Sequence, residues 1–122
     1  MKFRFSELVG RYRLEVTEEL SAFIERVFVA PAPAGDQAMV RADALEEAQG
    51  SELEALADGS LVSRSRGQEF FRVNVGDADA LYEELTFEKA PGVTVRIELR
   101  DPDTLVAHQP GRLTAVFRRV SG

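Results

Sequence analysis

The chain has 122 residues, 44% of them hydrophobic and 30% charged, which suits one globular domain spanning 1–122 with a real core and is too short for two ordinary ones. Its 21 acidic against 15 basic residues leave a formal charge of −6, so nucleic acid is not an expected partner: a phosphate-binding face would need strongly segregated Lys and Arg. The absence of cysteine excludes disulfides, thiolate metal sites and a cysteine nucleophile, and the lone His108 cannot supply a histidine-rich metal cluster, so no cofactor is expected.

Residues 1–7 carry charges where a secretory signal would need an apolar stretch, and no run approaches the length of a membrane span. The simplest expectation is a soluble cytoplasmic protein. From Gly10 onward, Tyr12, Leu14 and Val16 alternate with Arg11, Arg13 and Glu15, the period of a half-buried strand. The period then changes: Leu20, Phe23, Ile24, Val27 and Phe28 follow helical spacing, with Thr17 placed to cap and Glu18 and Glu19 suited to a helix N-terminus. Pro31, Pro33 and Gly35 stop that helix and form a loop.

Residues 43–58 are acidic, without Lys or Arg. Two capping-box patterns, Asp43 with Glu46 and Ser51 with Glu54, favour short helical turns on either side of Gly50. Equally, 53–57 reads as a strand joined through Asp58-Gly59 to a second strand at 60–65, because Asp-Gly supports a type I′ hairpin turn. Arg66-Gly67 turns the chain into a strand at 69–75, where Phe71, Val73 and Val75 share a face and which Gly76-Asp77 ends. The next segment, 81–89, is a strand through Leu85 and Phe87 or opens as a helical turn near Asp79. The clearest pattern follows: Val93, Val95, Ile97 and Leu99 alternate strictly with Thr94, Arg96, Glu98 and Arg100, bracketed by Ala90-Pro91-Gly92 and Asp101-Pro102-Asp103. Short strand-like runs at 105–108 and 113–120, separated by Pro110-Gly111, complete an antiparallel meander, so the fold class is mainly β with a helix after the first strand.

The opening Glu7-Leu8-Val9-Gly10-Arg11-Tyr12-Arg13-Leu14 resembles the Leu-x-Gly-x-aromatic start of the first strand in calycin-type barrels, the lipocalin and fatty-acid-binding superfamily. Tyr12 stands where family members usually carry tryptophan. The closing Asp103-Thr104-Leu105 and Val116-Phe117-Arg118-Arg119-Val120 are similar to the last strands of small bacterial lipocalin-like proteins. The strand-then-helix order is closer to the fatty-acid-binding arrangement. This resemblance, confined to the two ends of the chain, implies a meander closing into a small calycin-like barrel with an apolar-ligand cavity.

Neighbouring residues on a strand point to opposite faces, so one of Arg118 and Arg119 shares the face of Leu113, Ala115 and Phe117. An inward guanidinium could hold a ligand carboxylate by paired hydrogen bonds, as a C-terminal-strand arginine does in fatty-acid-binding proteins; otherwise both arginines are solvated at a fraying end. The helix stripe from Leu20 to Phe28 reads either as a lid or as core. His108 lies beside a turn, and the adjacent pairs Glu18-Glu19 and Glu83-Glu84 cannot face each other as an acid and a base must. No phosphate loop or nucleophile elbow is present. The expectation is therefore a non-enzymatic binding protein, monomeric or homodimeric, for a small hydrophobic or amphipathic ligand. Tyr12, Leu14, Phe71, Val73, Val95, Ile97 and Phe117 would line its site, and Arg119, Arg118 or Tyr82 would fix a polar head. A barrel enzyme such as a cyclase or isomerase, and an interaction or assembly module with a solid core, are the alternatives. A cavity of about 300 Å³ or more separates the first reading from the last.

Overall fold

A computed structural model describes residues 2–109 and 113–120. Eight strands form one antiparallel sheet: β2 (Gly10–Leu14), β3 (Ser51–Ala55), β4 (Ser60–Ser65), β5 (Gln68–Asn74), β7 (Leu85–Ala90), β8 (Val93–Asp101), β9 (Thr104–His108) and β10 (Ala115–Arg119). Their order is β5-β4-β3-β2-β10-β9-β8-β7. The last strand thus pairs with the first long one, Phe117 opposite Leu14 and Arg119 opposite Tyr12, and the meander curls into a near-barrel. The two edge strands, β5 and β7, are not hydrogen-bonded to each other among the described residues; the Phe71 and Phe87 rings bridge that seam with centroids 5.9 Å apart.

Alternation decides what fills the barrel. In β8, Val95, Ile97 and Leu99 are buried while Arg96 and Arg100 are exposed, as their period requires. With Tyr12, Leu53, Ala55, Leu61, Leu85 and Leu105 they form the interior cluster. One end is stoppered by the N-terminal residues: β1 (Phe3–Arg4) pairs antiparallel with β6 (Leu81–Tyr82), and the short helix α1 (Phe5–Leu8) follows it. Phe3, Phe5 and Leu8 are fully buried there. The segment at 81–82 is thus a strand, with Asp77 making an Asx turn to the Asp79 amide in place of a helical start.

At the opposite end, between β2 and β3, the chain inserts two helices, α2 (Glu18–Ile24) and α3 (Gln37–Gln49). Thr17 caps α2 by accepting from the Leu20 amide at 3.1 Å. Beyond Ile24 the helix widens into a π turn, Glu25–Val29, closed by the Ala30 amide on the Glu25 carbonyl. That extra residue per turn shifts the phase, so Val29 is buried while Val27 and Phe28, expected on the apolar stripe, are exposed at 41% and 49%. Leu20, Ile24, Val29 and Ala48 form a second cluster with Leu14, Val40 and Leu113. A two-pronged Arg41–Glu25 ion pair ties the helices together.

The acidic stretch divides between the two forms considered for it: helix through Gln49, then strand from Ser51, with β3 and β4 a hairpin. Its turn is a three-residue loop in which the Gly59 amide bonds the Leu56 carbonyl, and Gly59 alone has positive φ. The two-residue type I′ geometry falls instead at Arg66-Gly67, φ 53° and 79°.

Candidate functional site

A half-enclosed cavity of about 170 Å³ lies inside the barrel at its helical end. Phe71, Phe87, Val95, Ile97, Leu53 and Phe117 form its apolar walls; Ser63, Lys89 and Gln109 add polar residues, and His108 borders it while its imidazole faces outward. The space exists because small side chains coincide. Ala107 on β9 sits directly opposite Ala115 on β10, and Ser63 on β4 opposite Leu53, where Leu or Phe would fill the gap. Toward the stoppered end the interior is filled by Tyr12, Leu61, Leu99, Leu105 and the buried N-terminal residues.

Of the side chains singled out from the sequence, Phe71, Val95, Ile97 and Phe117 line this cavity together. Val73 packs against the interior cluster below them, and Leu14 against the helices. Tyr82 belongs to the stopper: its ring lies 6.2 Å from that of Phe3, and its hydroxyl donates to the Asp77 carbonyl. Arg118 points outward, donating to Thr104 Oγ1 at 3.1 Å and pairing with Glu15.

Arg119 is the inward arginine of the pair, yet its guanidinium is held at the stoppered end. It donates to the carbonyls of Glu7 (2.9 Å), Val9 (2.9 Å) and Pro102 (3.2 Å) and to the Tyr12 hydroxyl oxygen at 2.7 Å. Tyr12 in turn donates to the Leu8 carbonyl at 2.7 Å, and its ring lies under the guanidinium, 4.9 Å away. A side chain at Gly10, where φ is +144°, would place its Cβ 2.6 Å from Arg119 Nη1. The Gly10-x-Tyr12 pattern therefore builds a clamp between the first strand, the last strand and the stopper. Burial pushes the Tyr12 phenol above its ordinary pKa, with Arg119 pulling the other way.

On the outer face, His108 Nε2 lies 3.1 Å from Glu98 and Nδ1 3.4 Å from Thr114 Oγ1. The imidazole bond holds the Glu98 carboxyl below its usual range. Among the described residues no group of acidic and histidine side chains is arranged to hold a metal ion, and no helix is long and apolar enough to cross a membrane. Sequence reasoning singled out neither Ser63 nor Lys89. The period of two running through Leu85 and Phe87 to Lys89 was the signal that could have placed Lys89 inward. Compared with known proteins, the chain matches no family model and no curated protein.

Proposed function

We propose that this protein binds a small apolar or amphipathic molecule at the helical end of the barrel, by burial and without bond-making. The observation that supports this is an apolar space left open in a barrel otherwise filled with side chains. Its size narrows the ligand. At about 170 Å³ it falls short of the roughly 300 Å³ that marks a ligand carrier, so that expectation of size is not met; its volume is instead comparable to the roughly 150 Å³ apolar cavity that takes up benzene or xenon. A single ring or a short alkyl chain fits this volume; a long-chain lipid does not.

The test is to fill the space. Ala107→Phe places a ring where Ala107 faces Ala115. Toluene and indole titrated into the unaltered protein shift the amide resonances of Phe71, Val95 and Phe117, and in folded Ala107→Phe those shifts vanish. Unchanged spectra in the unaltered protein, or undiminished binding in the filled variant, contradict the reading.

A further inference from the structure

Among the described residues, Lys89 lines the cavity and enters none of the ion pairs or side-chain hydrogen bonds. Along β7, Leu85 and Phe87 face the interior, and Lys89 continues that set at the open end. The β7–β8 register slips between Glu88 and Ala90, so Lys89 has no directly opposed partner residue in β8. Lys89 lines the cavity while the residue remains exposed, a position that suits a long side chain able to lay an apolar stem on apolar walls and keep its charge in water. Lys89 enters none of the ion pairs among the described residues, which engage arginines on β2, β4, β5, β8 and β10. The chain as a whole carries a charge of −6, against which a lysine at the mouth of its apolar cavity, outside the ion pairs of the described residues, is a local positive charge.

We propose that the cavity selects an amphipath with an anionic head: a small carboxylic acid whose single ring or short chain enters between Phe71, Phe87 and Phe117, with its carboxylate at the mouth against Lys89 Nζ. Ser63 and Gln109 add neutral hydrogen-bonding groups to the same cavity. This deepens, and rests on, the cavity-binding reading above. Arg119 takes no part, because its donors are engaged at the opposite end.

An acid and its neutral isostere separate the two claims. The full chain is titrated with para-toluate and with para-toluamide at low salt, following the amide resonances of the cavity walls. The acid binds up to about fivefold more tightly, the gain of a partly exposed ion pair, and added salt erodes the difference. Lys89→Gln brings the acid down to the amide, and Lys89→Arg keeps the preference. Equal binding of the two probes, or a preference that survives Lys89→Gln, overturns the anionic head and leaves the cavity reading standing. Failure of both probes to shift the wall resonances overturns both.

Discussion

Arg119 and Arg118 are neighbours with opposite duties. Arg119 satisfies three backbone carbonyls and the hydroxyl of the fully buried Tyr12, four charge-assisted bonds that are lost together when the guanidinium is removed. Arg119→Ala therefore costs about 3 kcal/mol of unfolding free energy in urea titrations. Arg118→Ala, which removes an outward side chain and a screened pair with Glu15, costs about 1 kcal/mol or less. Gly10→Ala adds a left-handed backbone penalty to a collision with Arg119, and costs about 2 kcal/mol. Alternation in the sequence established that one arginine of the pair points inward. It did not say which, because parity depends on the β10–β2 register, set by residues more than a hundred positions apart.

The helices teach a different lesson. Apolar spacing located α2, but not the π turn that advances its buried face by one residue, so Val29 replaces Val27 and Phe28 in the contact with α3. Val29→Ala is expected to cost about 2 kcal/mol and Phe28→Ala no more than about 0.5 kcal/mol; an unwidened helix would reverse the order. The helix α3 escaped notice as a continuous element because its packed positions are the buried Ala48 and the partly buried Val40, Ala44 and Leu45, half of them alanine, and give little apolar contrast. The β8, β9 and β10 meander was legible because the inward residues of β8 alternate strictly with polar or charged ones and turn residues in the sequence bracket each short apolar run that follows. The stopper was not: β1 is two residues long and finds β6 far along the chain, a pairing with no local signature. The cavity itself was illegible for a related reason. It arises from Ala107, Ala115 and Ser63 meeting across three strands, and no single strand reveals that its neighbours are also small.

For the molecule as a whole, titration sets the limits of stability. The His108 bond on Glu98, the Ser60 bonds on Asp58 and the Asp103 amide on Asp101 each hold a carboxyl below its ordinary value. Each contributes stability that is present above the unfolded-chain pKa near 4 and is lost as pH falls through the lower folded value. Tyr12 acts in the opposite sense: its raised phenol contributes fully below about pH 10, and that contribution is lost as pH climbs through the folded value. Urea midpoints should thus stay level from about pH 5 to pH 9, fall on both sides, and fall less steeply on the alkaline side in Tyr12→Phe. The stoppered near-barrel leaves the space near Phe71 and Phe117 half enclosed, at its helical end. Crystals pressurised with xenon probe that space without reference to any head group, because xenon enters apolar cavities of about this size. Xenon density bounded by Phe71, Val95 and Phe117 is the expected result; a barrel interior without xenon at any pressure the crystals withstand would contradict a ligand-binding barrel.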